Sequence, residues 1–278
     1  MFFSSETIRS RQNRSVVALA KLTDRREREA EKCFRFDGIK LAEEAIGSEI
    51  EILKMFLRES EAEQTIQRLN ERTKGDVQRR VGQIVCLEDG VFDRVSEEKS
   101  PEGVICVAKY IDKFQKNVTI YNDEVFSELA DERIVFLESV RDPVNIGAMI
   151  RSAAAFGVDR LIVSADCADI YHPKAVRASM GTLFGQKIDR TDRLPEVIGQ
   201  FRAHGRRVFA ATLDRDAIAL GSFRTEKSDC AVIGNEGHGL TEQTVAACDR
   251  SVYIPMSERA ESLNAAVAAS ILMWEFAK

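Results

Sequence analysis

The chain has 278 residues, of which 44% are hydrophobic and 31% are charged, and its formal net charge is −5. This composition is normal for a globular protein and excludes one coated evenly in positive charge. Because no apolar run approaches the roughly 18 residues that span a bilayer, and the first residues lack the features of a secretory signal peptide, we expect a cytoplasmic protein without a membrane segment.

Cysteine and histidine usage gives no sign of a metal site. The six cysteines are scattered without a CxxC pair, and there are three histidines. This spacing supports neither a disulfide framework nor zinc binding. We expect most of the cysteines to be small buried hydrophobic residues, and we expect no bound metal.

The first 40 residues are helix-rich and carry an excess of positive charge. They contain ten Lys or Arg and six Asp or Glu, a net charge of about +4. Two interpretations remain open. The charges either form the solvated face of mixed-charge helices or belong to a basic arm that meets phosphate groups.

Residues 1–112 are predicted to form a small α/β domain. "GIKLAEEAIGSEIEILKMFL" has apolar residues at helical spacing followed by β-type residues, and "GVICVAKY" indicates a closing strand. Residues 113–132 show no sustained pattern, which predicts a linker.

From residue 133 onwards, short apolar β runs alternate regularly with helical segments. The β runs are "RIVFLES", "RLIVSAD", "RVFAATLD", "DCAVIGNE" and "SVYIPM". This alternation predicts a parallel sheet covered by helices on both faces. Since ligands bind beyond the carboxyl ends of the strands in such sheets, the loops after the strands are the candidate site.

The first of these loops lies in "ESVRDPVNIGAMIRSAAAFG", where a strand ends, an Asp-Pro turn follows and Gly157 ends a helix. Asn145 is either the N-cap of that helix or a site residue. Arg151 lies in an apolar, small-residue stretch of the helix. It is therefore either a surface charge or a group with an anionic partner.

The second loop lies in "AVIGNEGHGL", where a strand runs directly into Gly234, Asn235, Glu236 and Gly237. Glycines after a strand allow a ligand to approach the backbone closely. The pattern is not GxGxxG and lacks the acidic residue that follows in dinucleotide sites. Glu236 is interpreted as a ligand-binding group or as an ordinary exposed carboxylate.

The third loop lies in "SVYIPMSERAESLNAAVAAS", where Pro255 ends a strand and an alanine-rich helix follows. Ser262 can cap this helix. That does not explain Asn264, a poor helix former expected inside the first turn. The helix is apolar around most of its circumference, so it is buried or packed against another chain.

Together with "RASMGTLF" (residues 177–184), these loops resemble the SpoU family of RNA ribose methyltransferases, in the SPOUT superfamily. Four ordered blocks are far more specific than any single loop. In the amino-terminal half, "LTDRREREAEKCFRFDGIKLAEEAI" and "PEGVICVA" resemble, more weakly, the L30e-like substrate-binding domain of that family. The resemblance therefore covers nearly the whole chain.

The resemblance implies a two-domain organisation and a reaction. Residues 1–112 would form an L30e-like RNA-binding domain and residues 133–278 a SPOUT methyltransferase domain with a deep trefoil knot, an exception to the usual absence of knots. S-adenosylmethionine would donate a methyl group to a ribose 2′-hydroxyl in RNA, with 23S ribosomal RNA favoured because of the extra amino-terminal domain. The resemblance also implies a homodimer formed through the carboxy-terminal domain, with the active site near the interface.

The matching motifs also imply which residues act. Arg151 would bind the adjacent phosphate and favour loss of the hydroxyl proton electrostatically, because an arginine stays protonated. The catalytic set is Asn145, Arg151, Glu236, Ser262 and Asn264. The cofactor-binding set is Thr212, Leu213, Gly234, Asn235, Gly237, Ile254, Met256 and Leu263.

Two departures from the family pattern keep other functions open. Glu258 stands where the family often has glycine, and Ala265-Ala266 stand where it often has Val-Ser. The alternatives are a transfer-RNA 2′-O-methyltransferase and an RNA-binding or ribosome-assembly homologue that has lost catalysis. A dinucleotide-dependent oxidoreductase is disfavoured because residues 139–147 provide no phosphate-binding loop.

Overall fold

The computed structural model describes residues 6–48, 50–111, 115–214, 216–235, 237–257, 259–260 and 262–278, without the side chain of residue 115. Its helices are α1 (Arg14–Lys21), α2 (Arg25–Glu31), α3 (Ile39–Gly47), α4 (Ala62–Arg72), α5 (Val77–Arg80), α6 (Asp89–Val95), α7 (Asp123–Leu129), α8 (Pro143–Ala155), α9 (Pro173–Ser179), α10 (Leu194–Ala203), α11 (Glu242–Ala247) and α12 (Ala265–Ala277). Its strands are β1 (Cys33–Asp37), β2 (Ile52–Arg58), β3 (Val81–Leu87), β4 (Val104–Lys109), β5 (Gln115–Asn117), β6 (Ile134–Leu137), β7 (Arg160–Ser164), β8 (Lys187–Thr191), β9 (Val208–Ala211), β10 (Ile218–Ala219), β11 (Cys230–Ile233) and β12 (Arg250–Tyr253). None of the helices in these ranges is long and apolar enough to cross a membrane.

The first of two compact units contains the described residues up to Ile111 together with Asp169–Gly185. Its sheet has the strand order β1-β4-β2-β3, in which β2 and β3 are parallel and the other pairs antiparallel. Helix α1 begins after Asn13, whose side chain accepts a hydrogen bond from a helix N–H, and it buries Val16 and Leu19 in the core. This is the small α/β unit predicted from the sequence.

A segment from the middle of the chain, Asp169–Gly185, packs within this first unit. The buried Arg28 donates from Nε and Nη2 to one Asp169 oxygen at 3.1 and 2.7 Å. Tyr171 stacks on Tyr110 with ring centroids 4.0 Å apart. The sequence assigns this segment, with its "RASMGTLF" motif, to the carboxy-terminal domain. The difference arises because helical periodicity does not show which core a helix packs against.

The second unit is built on a parallel sheet with the strand order β10-β12-β9-β11-β6-β7-β8-β5. Ile134 and Phe136 of β6 pack in a core that includes residues of α10. The alternate residues, Val135 and Leu137, are also buried and point to the opposite face. The predicted α/β fold with a parallel sheet covered on both faces is therefore confirmed, while the trefoil knot stays a prediction.

The stretch predicted as a linker, residues 113–132, contributes regular structure to the second unit in its described part, residues 115–132. Strand β5 pairs in parallel with β8, and Phe126 and Leu129 of α7 are buried beside Phe201. The sequence pattern misses α7 because three apolar residues in a helix of seven do not establish a helical period.

A network of charged side chains joins this stretch to the sheet. Arg160 donates to Glu132 at 2.7 Å and to Asp189 at 2.8 Å, and Lys187 donates to Glu132 at 2.5 Å. Tyr121 donates its hydroxyl to Asp189 at 2.6 Å. Burial by itself raises the pKa of Glu132, but the hydrogen bonds from Arg160 and Lys187 outweigh it and hold this pKa below 4.5.

The lowered pKa makes Glu132 a source of acid-sensitive stability. Its contribution is fully present above its unfolded-state pKa, near 4.5, and is lost as the pH falls through the lower folded-state value. We expect Glu132→Gln to lower the free energy of unfolding at pH 7 by about 2 kcal/mol and to flatten its decline below pH 4.5. Urea denaturation across this pH range measures both effects. An equally steep decline in the two proteins contradicts the prediction.

Candidate active site

The predicted cofactor residues surround one cavity in the second unit. This cavity, of about 660 Å³, opens beyond the carboxyl ends of β9, β11 and β12. The eight residues predicted from the sequence to bind a cofactor all lie in its wall: Thr212, Leu213, Gly234, Asn235, Gly237, Ile254, Met256 and Leu263. Loops far apart along the chain converge here because parallel strands end at the same edge of the sheet. That these residues bind a cofactor stays a prediction.

The glycine-rich loop after β11 is held closed on itself. Asn235 and Gly239 exchange two backbone hydrogen bonds, both of 3.0 Å. A Cβ atom on Gly234 would lie 2.4 Å from the carbonyl carbon and oxygen of Gly239, so glycine is required at this position. The Asn235 side chain accepts from the Gly237 N–H at 2.7 Å and donates to the Ser139 carbonyl at 2.7 Å. It therefore holds the loop in place, and the loop presents mainly backbone to the cavity.

Acidic side chains that sequence reasoning missed also line the cavity. Asp214 accepts hydrogen bonds from the hydroxyls of Thr212 at 2.8 Å and Ser251 at 3.3 Å. Glu242 is a second acid in the wall, and the described lining contains no Lys or Arg. An acidic wall favours a ligand that carries positive charge. The signal for Asp214 was present in the sequence, since this residue follows β9 closely.

The helix caps differ from those expected. Asn264 caps α12 by accepting from the Ala266 N–H at 2.9 Å, which excludes the interpretation of Ser262 as the cap of this helix. Ser262 lies instead in the cavity wall. Likewise Asp142, and not Asn145, is the N-cap of α8, because the proline that follows Asp142 occupies the first helical position.

The first and third loops meet through two of the predicted catalytic residues. Asn264 donates from Nδ2 to the side-chain oxygen of Asn145 at 3.1 Å. The side-chain oxygen of Asn264 therefore caps α12, and its side-chain nitrogen donates to Asn145. This bond fixes the start of α12 against the first turn of α8, next to Ser262 and the cavity.

Arg151 lies on α8 with its side chain exposed and away from the cavity wall. The anionic partner expected from its apolar surroundings is not found within the described part of the chain, where its guanidinium makes no hydrogen bond or ion pair. The guanidinium is thus available to an anion from outside the described chain. Glu236 and Glu258 lie outside the described residues. The predicted role of Glu236 therefore stays a prediction, and the departure from the family pattern at Glu258 stays without a structural account.

The described residues fit a nucleoside cofactor better than a metal ion. No three His, Cys, Asp or Glu side chains converge within the described ranges. The volume of the cavity lies within the 300–1,000 Å³ or so that is usual for small-molecule sites, and close backbone approach is available at Gly234. A parallel sheet with such a cavity at the carboxyl ends of its strands defines an α/β cofactor-binding protein.

Comparison with known protein families shows which family of α/β cofactor-binding proteins this chain belongs to. A family model described as "SpoU rRNA Methylase family" matches residues 132–274. A second, "MRM3-like substrate binding domain", matches residues 13–106. The chain belongs to the SpoU rRNA methylase family, which confirms the resemblance found in its sequence.

Individual relatives support the same family. The chain is 29% identical over 268 residues to the 23S rRNA (guanosine(2553)-2′-O)-methyltransferase RlmP of Bacillus subtilis, covering 96% of this chain and 97% of that protein. It is 37% identical over 145 residues to the 23S rRNA (uridine(2479)-2′-O)-methyltransferase of Streptomyces viridochromogenes, covering 51% and 50%. A solved structure of the SpoU methyltransferase AviRb from Streptomyces viridochromogenes, in complex with the cofactor AdoMet, matches with a TM-score of 0.74 at 26% identity, covering 96% and 97%.

Proposed function

We propose that this chain transfers a methyl group from S-adenosylmethionine to a ribose 2′-hydroxyl of 23S ribosomal RNA, in the cytoplasm. The observation that carries the proposal is the convergence of the predicted cofactor residues on one cavity, in a chain of the SpoU family. The relative that aligns over nearly the whole chain is named a 23S rRNA methyltransferase, which favours ribosomal over transfer RNA.

The cavity suits this donor. S-adenosylmethionine, when bound, would supply a methyl group on a positively charged sulfur. The ribose oxygen would take that methyl group and release its proton, and S-adenosylhomocysteine would leave. The carboxylates of Asp214 and Glu242 in the cavity wall favour the positive charge of the donor. Backbone groups around Gly234 and Leu263 would hold its nucleoside part, because the wall at Gly234 contains no side chain.

The remaining residues of the proposed site act on the acceptor. A ribose hydroxyl is a poor nucleophile at neutral pH, so the protein must orient it and favour loss of its proton. Arg151 would bind the neighbouring phosphate and stabilise the charge that develops on the oxygen. The bonded pair of Asn145 and Asn264 would hold the ribose in line with the methyl group, together with Ser262 and Glu236.

The first unit would bind the RNA. Arg11, Arg14 and Arg26 are exposed and form no ion pair within the described ranges. Arg25 pairs with Glu29, and Lys40 with Glu44, on their own helices. The three unpaired arginines support the interpretation of a basic arm that meets phosphate groups. The paired Arg25 and Lys40 support the interpretation of mixed-charge helix faces. Binding through the unpaired arginines would weaken steeply with added salt.

A homodimer would complete the site. Arg151, on α8, does not line the cavity of its own chain. Helices α8 and α12 also expose apolar side chains. Val144 and Val267 are each 48% exposed, and Trp274 is 51% exposed. We propose that a second copy of the chain covers these exposed apolar side chains. The Arg151 of each copy would then lie near the cavity of the other copy. Sedimentation equilibrium tests this, since a monomer mass at micromolar concentrations contradicts it.

The proposed reaction is tested with labelled S-adenosylmethionine and ribosomal RNA from a strain that lacks this protein. We expect label in a 2′-O-methylated nucleotide of 23S RNA, mapped by its resistance to alkaline cleavage. Label in transfer RNA alone would establish the alternative substrate. Donor binding or RNA binding without any ribose methylation would contradict the proposed activity and support a non-catalytic homologue.

Two substitutions of Asn264 separate its capping role from its contact with Asn145. We expect Asn264→Ala to lower the unfolding free energy by about 1 kcal/mol, because the cap of α12 is lost. Asn264→Asp keeps the capping oxygens and the stability, but it loses the donor to Asn145. Both variants should lower kcat by roughly tenfold or more if orientation of the ribose depends on that bond. Wild-type kcat in Asn264→Asp contradicts this role.

A further inference from the structure

The second unit contains a buried acid that neither the sequence motifs nor the cavity wall assigns a role. Glu138 directly follows β6, is 6% exposed and forms no ion pair within the described ranges. Its carboxylate accepts from the Thr241 N–H at 2.8 Å, from the Thr241 hydroxyl at 3.0 Å and from the Thr244 hydroxyl at 2.6 Å. A buried charge is tolerated only when it is well hydrogen-bonded, and these three donors meet that need.

These bonds hold the far end of the glycine-rich loop. Thr241 is the N-cap of α11 and ends the loop that begins after Ile233. At the near end, the backbone N–H of Glu138 donates to the Ile233 carbonyl at 2.8 Å. One residue therefore anchors both ends of the loop between Ile233 and Thr241, with its backbone at one end and its carboxylate at the other.

The anchored loop forms a wall of the cavity, whereas Glu138 does not line it. The described loop residues, 234, 235 and 237–240, all lie in that wall. The side chain of Asn235 makes a third hydrogen bond between this loop and the residues that follow β6, by donating to the Ser139 carbonyl. Any effect of Glu138 on a bound donor is thus transmitted through Thr241 and the loop, because Glu138 fixes the position of the loop backbone.

We propose that Glu138 is a positioning residue for the methyl donor, which it serves by fixing the loop between Ile233 and Thr241 in its donor-binding conformation. This inference rests on the proposed function, since it assigns the cavity to S-adenosylmethionine. Glu138 touches neither the donor nor the ribose. Its loss should therefore weaken donor binding much more than it slows the chemical step at saturating donor.

Substitutions in the full-length protein test this. Glu138→Leu removes the acceptor and keeps a similar volume, whereas Glu138→Gln keeps an acceptor for the Thr241 N–H and lets the threonine hydroxyls reverse direction. Thr244→Val removes one donor without changing shape. Glu132→Gln is the matched control, because it alters a half-buried acid of the charged network on β7 and β8, away from the cavity.

Calorimetric titration with S-adenosylmethionine and steady-state kinetics give the readouts. We expect Glu138→Leu to raise the Kd and the KM for the donor about tenfold or more, with kcat within about threefold of wild type. Glu138→Gln and the control Glu132→Gln should bind within about threefold of wild type. Thr244→Val should raise Kd about threefold and add nothing to Glu138→Leu, because both substitutions remove the same bond.

A Kd for Glu138→Leu within about twofold of wild type overturns the inference and leaves the proposed function intact. If Glu138→Leu does not fold, Thr244→Val decides: an unchanged Kd overturns the inference, and a raised Kd supports it. A loss of affinity in Glu132→Gln equal to that in Glu138→Leu also overturns it, because the effect would then follow general stability. A wild-type protein that shows no donor binding overturns both the inference and the proposed function.

Discussion

Replacing Arg151 by alanine is expected to lower kcat for ribose methylation by about 10²–10³-fold, with a change in unfolding free energy below about 0.5 kcal/mol. The side chain is exposed and makes no bond within the described residues, so its removal leaves no buried group unsatisfied. In the proposed reaction the loss would arise at the phosphate next to the reacting hydroxyl, where the guanidinium would stabilise developing negative charge. Single-turnover methylation and urea denaturation measure the two quantities.

The KM for the donor should stay near the wild-type value in Arg151→Ala, because the proposed partner of Arg151 is the RNA phosphate and not the donor. Arg151→Lys keeps the charge but not the planar pair of donors, so an intermediate rate is expected. Arg193→Ala is the control, since Arg193 is an exposed arginine that pairs with Glu196 at the start of another helix. Undiminished methylation by Arg151→Ala would contradict the proposed catalytic role of Arg151.

Gly234→Ala is expected to weaken binding of S-adenosylmethionine by about 100-fold or more and to lower the unfolding free energy by about 1–3 kcal/mol. The added Cβ would stand 2.4 Å from the Gly239 carbonyl carbon and oxygen and 2.7 Å from the Leu240 nitrogen. These are backbone atoms, so the whole loop must move to relieve the clash. Because that loop is a wall of the cavity, the proposed donor site would be displaced with it. Calorimetric titration and thermal denaturation provide the measurements.

Gly199→Ala is the matched control for this substitution. Gly199 lies inside α10, and a Cβ there would meet nothing within 4 Å. Alanine at this position should raise the stability by up to about 1 kcal/mol and leave donor affinity unchanged. Donor affinity in Gly234→Ala within threefold of wild type would show that the loop does not shape the binding site.

Much of the fold and of the candidate site follows from local sequence patterns. Alternating β runs and helical segments after residue 133 allow few arrangements other than a parallel sheet, and the structure confirms it. The end of each β run then indicates where site residues stand, and Thr212, Gly234 and Ile254 do line one cavity. These features are predictable because backbone geometry and burial act within a few residues along the chain.

Other features are decided by contacts between distant parts of the chain. Asn264 bonds to Asn145 across 119 positions, and Thr241 bonds to Glu138 across 103. The segment Asp169–Gly185 packs with the first unit although it lies among the residues of the second. Nothing in the local pattern distinguishes Asn264 as a helix cap that also holds another helix.

The sequence by itself thus predicted a parallel sheet with helices on both faces, the loops that line the cavity and the family of the protein. Tertiary structure alone decided which polar groups of those loops bond to each other, which core each helix joins, and that a buried carboxylate outside the cavity anchors both ends of its wall. The physical reason is the separation along the chain over which each interaction acts. Secondary structure and turns depend on neighbouring residues, whereas hydrogen-bond partners in a folded chain depend on the positions of all the elements at once.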